Sequence, residues 1–268
     1  MEDNTFIFLA GLHRSGTSLL HEILREHSEV SGFSKTGAPE DEGQHLQAVY
    51  EPAKSFGGPG KFAFDQKSYM DESHSLATNV CAKDIFEQWS KYYDLSSKYL
   101  IEKSPPNIIR TRYLQRIFSG SKFIVILRHP IAVSYATQKW SNTSVKSLIN
   151  HSLHAYEIFL DDMRLLNSVY VLRYEDFVCE PQETVDTICR FLDLSPITVH
   201  HKVRNNINEK YFSIWKSDRK KFYNKVLFKI TPDLEARANR CGYSLINYNE
   251  CVPVPWLGSH NKANTLKR

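Results

Sequence analysis

Residues Gly11-Leu12-His13-Arg14-Ser15-Gly16-Thr17-Ser18 concentrate the donors an anion needs. They follow a short apolar, aromatic and β-branched run, Thr5 to Ala10, and precede Leu19, Leu20, Ile23 and Leu24 at helical spacing. The segment therefore reads as strand, loop and helix, the helix running to about His27. In such a loop the backbone amides and the helix N-terminus point at one spot, and the dipole favours negative charge there. Arg14, Ser15, Thr17 and Ser18 add side-chain donors around Gly16. The two glycines have the spacing of the nucleotide-triphosphate loop G-x-x-x-x-G-K-[ST], but Thr17 stands where its lysine would be. Without that lysine, triphosphate chemistry is poorly served. A cation inside the loop instead suits a single 5′-phosphate and the bond beyond it.

A second cation leaves a second strand. Lys122 to Leu127 is strongly apolar and is followed at once by Arg128-His129-Pro130. An arginine at the C-terminal end of a buried strand lies on the ligand edge of an open α/β sheet. Its planar fork suits a phosphate. Two further clusters sit at loop positions: Pro39-Glu40-Asp41-Glu42-Gly43-Gln44-His45, and Glu102-Lys103-Ser104-Pro105 after the short strand Lys98 to Glu102. A solvated acidic loop and a surface lysine before a turn are the plain alternatives for these two.

The run Arg14-Ser15-Gly16-Thr17-Ser18 after a first strand resembles the 5′-phosphosulfate loop of the sulfotransferases that use 3′-phosphoadenosine 5′-phosphosulfate (PAPS). Arginine at the cation position is similar to the Golgi-type, tyrosylprotein and bacterial members. The resemblance covers most of the chain in element order but only short motifs in sequence. It implies a metal-independent, in-line transfer of a sulfuryl group from PAPS to a hydroxyl. It also implies roles. The loop, Arg14 to Ser18, holds the 5′ end, and Arg128 holds the 3′-phosphate with a serine about two helical turns later. The family spacing lands on Ala136, so Ser134 and Thr137 stand as substitutes. Arg14 and Lys103 stabilise the transferring group. The base comes from the acidic cluster: Glu42 first, then Glu40, then His45. Arg173-Tyr174-Glu175-Asp176-Phe177 resembles the family's R-Y-E-D-L segment and reads as mainly structural. The stretch Asn205 to Trp215 stands where relatives carry a late loop over the nucleotide. The R-K-G of that loop is absent, and Lys202, Arg204 and Lys210 are left without an assigned role.

These residues need a frame, and the strand–helix alternation supplies one: a single α/β domain over 1–268, with a parallel sheet of about five strands flanked by helices. With the resemblance, this is a P-loop NTPase-like sulfotransferase fold. Residues 31–72 read as a long active-site loop with short helical pieces. Helices are expected over 73–94, Asn107 to Phe118, 131–140, 145–166 and Pro181 to Leu192, with a last one opening at Thr231-Pro232. Ser168 to Arg173 is a further strand, and 243–268 is an irregular tail. The 31–72, 141–166 and 211–230 regions are expected to shape the acceptor pocket.

Composition narrows the class. A net charge of +4 is too mild for nucleic acid but suits a small anionic ligand. The five scattered cysteines and eleven histidines show no ligand spacing, so no metal is expected. The acidic start Met1-Glu2-Asp3-Asn4 does not read as a secretory signal, and no stretch approaches a membrane span. A cytoplasmic enzyme acting on a small-molecule or glycan hydroxyl is the expectation, with carbohydrate, lipid, natural product and protein tyrosine all open. The oligomeric state is unreadable. A nucleotide kinase and a non-catalytic binding protein on the same fold are the rivals.

Overall fold

The computed structural model describes residues 4–221 and 229–261. Its first half runs β1 (Thr5–Ala10), α1 (Thr17–Leu24), β2 (Val30–Gly32), α2 (Asn79–Trp89), β3 (Tyr99–Lys103), α3 (Thr111–Ile117) and β4 (Lys122–Leu127). The second half runs α4 (Pro130–Thr137), α5 (Val145–Asp162), β5 (Ser168–Arg173), α6 (Tyr174–Cys179), α7 (Pro181–Leu192), α8 (Ile207–Lys220), α9 (Pro232–Arg240) and β6 (Gly258–Asn261).

One sheet carries all six of these strands in the order β2-β3-β1-β4-β5-β6. The first five are parallel, and β6 joins β5 antiparallel. Strand β1 shows why the centre is stable. Phe6, Phe8 and Ala10 enter one core with Trp89, Phe118 and Phe123, while Ile7 and Leu9 enter the other with Leu20, Ile23 and Ile188. A strand apolar on both faces must be covered on both. Here α2 to α5 cover one face, and α1 and α7 the other.

Several elements differ from expectation for identifiable reasons. The third helix starts at Thr111 rather than Asn107, because Pro105–Ile109 forms a 3-10 turn that opens with two prolines. Helix α2 is shorter than 73–94, opening where the Thr78 hydroxyl caps Cys81 N. Strand β2 has only three residues, too few for alternation to reveal it. Helix α8 occupies a stretch expected to be loop. The 243–268 tail is not wholly irregular, since β6 completes the ladder on the free edge of β5. The 31–72 region carries short 3-10 pieces between Pro39 and Ser68, as expected of a long loop. Residues 222–228 of the 211–230 region, and 262–268 of the tail, lie outside the described residues.

Candidate active site

The strand order reverses at β1, whose neighbours are β3 and β4. A crevice opens outside the carboxyl ends of the strands at such a point. The chain leaves β1 into the Gly11–Gly16 loop, β3 at Lys103 and β4 at Arg128, so the three cations of the sequence reading share one edge.

The loop's glycines are required by close approach. A Cβ at Gly11 would stand 2.7 Å from the Ile126 carbonyl oxygen, and one at Gly16 would stand 2.6 Å from the Tyr174 ring. Gly16 is also left-handed, at φ 96°. Arg14 takes a left-handed φ of 68° without being glycine. The Arg14 side chain is exposed, with its guanidinium 4.9 Å from the centroid of the Trp140 ring. Ser15 and Thr17 are buried, and Ser18 is exposed.

Beside the loop lies an acid–base cluster. The Lys103 ammonium is buried, 3.5 Å from Glu42 Oε1, and donates to the Glu40 carbonyl oxygen at 2.8 Å. The second Glu42 oxygen accepts from Gln44 Nε2 at 2.5 Å and lies 3.8 Å from His45 Nε2. Burial pushes the Glu42 carboxyl up to about 7, although Lys103 and Gln44 pull the other way. Of the three base candidates, Glu42 thus stands between Lys103 and His45. Glu40 is exposed and reaches Lys103 only through its backbone. His13, passed over in the sequence, is held near this cluster by the loop. Burial first, then Lys103 and His45, lower its imidazole to about 4, so it is neutral at pH 7.

Glu102 positions this cluster. It is fully buried, and its carboxylate accepts from Gly43 N at 2.9 Å, Ser104 Oγ at 2.5 Å and Asn107 Nδ2 at 2.5 Å. Ser104 Oγ in turn accepts from Gln44 N, and Trp89 Nε1 donates to the Gly43 carbonyl. A Cβ at Gly43 would strike the Glu102 carboxylate at 2.6 Å. The end of β3 therefore clamps the backbone on either side of Gly43 and sets where Glu42 points. A carboxylate inside the apolar run Tyr-Leu-Ile-Glu was the one sequence signal for it.

Arg128 is buried over the Tyr174 ring, 4.1 Å from its centroid. Its Nη1 donates to the Arg14 carbonyl oxygen at 2.6 Å, and its Nε and Nη2 to Asn208 Oδ1 at 2.9 and 2.7 Å. Ser134 and Thr137 share one face of α4. They line a small cavity with Leu12, His13 and His151, and their hydroxyls have no partner among the described residues. Arg173 donates to the Val252 carbonyl and so ties β5 to the tail. Lys202, Arg204 and Lys210 are exposed. Among the described residues no group of His, Cys, Asp and Glu is placed to hold a metal, and no helix is long and apolar enough to cross a membrane.

Comparison with known proteins gives a consistent picture. A family model described as the sulfotransferase family matches residues 7–198. The chain is 24% identical over 207 residues to protein-tyrosine sulfotransferase 2 of Gallus gallus, covering 73% of this chain and 53% of that protein. It is 24% identical over 211 residues to protein-tyrosine sulfotransferase 1 of Danio rerio, covering 75% and 57%. The chain thus spans about half the length of the curated relatives it matches. Among solved structures, the sulfotransferase domain from the curacin biosynthetic pathway superimposes with a TM-score of 0.52 at 17% identity, covering 90% of this chain and 99% of that one. A sulfotransferase from Mycobacterium avium gives 0.52 at 12% identity, covering 88% and 75%. Both share the fold.

Proposed function

This chain belongs to the sulfotransferase family, and we propose that it transfers a sulfuryl group from PAPS to a hydroxyl acceptor. The observation that carries the proposal is the pairing of a lysine-free anion loop with the buried Lys103–Glu42 contact at one strand edge. A P-loop NTPase would want the lysine in the loop. Here the lysine arrives from the next strand, beside a carboxyl held near neutrality.

In this reading the loop amides of residues 14–18 receive the 5′ phosphosulfate, and Arg14 leaves Trp140 to reach it. Buried hydroxyls at Ser134 and Thr137, which have no partner among the described residues, and the fork of Arg128 supply donors for the remaining phosphate. Glu42 takes the acceptor proton. The acceptor oxygen forms a bond to sulfur as the bond from sulfur to the bridging oxygen breaks, and adenosine 3′,5′-bisphosphate leaves. Lys103 and Arg14 stabilise the charge that grows on the bridging and sulfuryl oxygens, so the transfer is metal-independent. Tyrosine is the first acceptor to assay, because the curated relatives are protein-tyrosine sulfotransferases. Carbohydrate, lipid and small natural-product hydroxyls follow.

The test is thermal stability with adenosine 3′,5′-bisphosphate, AMP and ATP–Mg²⁺ in parallel. A ligand at ~100 times its Kd, bound only by the native state, adds about 2.7 kcal/mol. Stabilisation specific to the 3′,5′-bisphosphate supports the donor assignment. Stabilisation by ATP–Mg²⁺ alone overturns it in favour of a nucleotide kinase.

A further inference from the structure

Buried arginines commonly pair with a carboxylate, and one is close: Glu175 lies half-buried in the same region. The two do not touch directly among the contacts of either side chain. Asn208, from the first turn of α8, stands between them. Its Oδ1 accepts from both Nε and Nη2 of Arg128, and its Nδ2 donates to Glu175 Oε1 at 2.6 Å. The same oxygen accepts from His129 N at 3.0 Å, and Glu175 Oε2 accepts from the Tyr243 hydroxyl at 3.1 Å.

We propose that Asn208 is a positioning residue for Arg128, a neutral spacer that orients the guanidinium while keeping its charge available to an anion. A guanidinium has about five N–H groups in a fixed plane. Three are engaged, by Asn208 Oδ1 twice and by the Arg14 carbonyl once. One N–H remains on Nη1 and one on Nη2, each able to donate to an anion. A direct pair with Glu175 would instead place a full negative charge on the fork and compete with the phosphate. The amide passes on the orientation imposed by Glu175, His129 and Tyr243 but not the charge. The Tyr174 ring below fixes the plane from the other side. This proposal rests on the reading of Arg128 as an anion ligand.

Asn208→Asp is nearly isosteric and puts a carboxylate on the fork. Asn208→Leu removes the contact without adding charge. Paired with Glu175→Gln, the Asp variant keeps a donor facing its carboxylate, so the pair folds without two carboxylates in contact. Binding of adenosine 3′,5′-bisphosphate, AMP and inorganic phosphate would be measured by thermal shift, with steady-state kinetics alongside. The Asp variants should lose about tenfold or more in bisphosphate and phosphate affinity, and more than the Leu variant does. Donor KM should rise accordingly, while kcat at saturating donor stays within about twofold. Wild-type affinity for both anions in the Asp variants would overturn the inference. If the wild-type protein binds phosphate but no bisphosphate, and the Asp variants lose phosphate, the donor reading fails and the role of Asn208 stands. If the wild-type protein binds neither anion, both fall.

Discussion

The Lys103 ammonium stands 3.5 Å from the Glu42 carboxylate, with both side chains nearly closed to solvent. Such proximity would ordinarily hold a carboxyl low, yet burial outweighs it and Glu42 is pushed up to about 7. A carboxyl balanced there can exchange a proton at neutral pH, which is what a general base requires. Removing that function by Glu42→Gln should lower kcat by about 10²- to 10⁴-fold. The rising limb of kcat/KM near pH 7 should disappear in the variant. A pH–rate profile with the limb intact would assign the base elsewhere, with His45 next.

The same shift predicts how stability responds to pH. The folded-state value is raised from 4.5, so the folded chain binds this proton more tightly than the unfolded chain. The stability it contributes is fully present below pH 4.5 and is lost as pH rises to about 7. Glu42→Gln removes that loss. Denaturant midpoints for wild type and variant should therefore diverge across this window, with the variant gaining relative to wild type, and run parallel above it.

Lys103→Met separates the two jobs of the lysine. It removes a charge that lowers the Glu42 carboxyl, so the rising limb should move to higher pH. It also removes a cation from the transferring group, so kcat should stay depressed even on the high-pH plateau. A variant with normal plateau kcat and a shifted limb would leave Lys103 only an electrostatic role towards Glu42.

Local features of the site were legible in the sequence because they are contiguous. Gly11 to Ser18 brings its donors, its two close-approach glycines and its flanking strand and helix in one stretch, and Arg128 follows its strand directly. The partners that aim these groups are distant. Gly43 is held by Glu102, 59 positions away, and Arg128 by Asn208, 80 positions away. No periodicity encodes such pairs. Helix α8 is a different case: Ile207, Tyr211, Ile214 and Trp215 do recur at helical spacing, but the resemblance placed a loop there. Strand β6 has no pattern of its own and owes its form to the edge of β5.

Gly16→Ala tests the loop's geometry. The left-handed φ alone costs an L-residue about 1–2 kcal/mol, and the added methyl would also meet the Tyr174 ring at 2.6 Å. Unfolding free energy should fall by at least that much. Because Tyr174 lies beneath Arg128, nucleotide affinity should fall as well. A variant of unchanged stability would show that the loop tolerates a different path.

Arg14 and Arg128 are linked through one contact, the Arg14 carbonyl accepting from Arg128 Nη1, but their side chains point to different tasks. The guanidinium of Arg14 is exposed and stacked on Trp140, whereas Arg128 is buried and held by the Arg14 carbonyl and Asn208. A donor on a phosphate remote from the reacting bond contributes to ground-state and transition-state binding alike, and a cation at the transferring group contributes where charge develops. Arg14→Ala should therefore lower kcat with little change in donor KM, and Arg128→Ala should raise donor KM with a smaller effect on kcat. Trp140→Ala serves as the control for the parked position. It frees Arg14 without deleting it, so kcat should hold while the unliganded loop becomes more accessible to hydrogen exchange. Loss of kcat in Trp140→Ala would mean that the ring itself contacts a substrate.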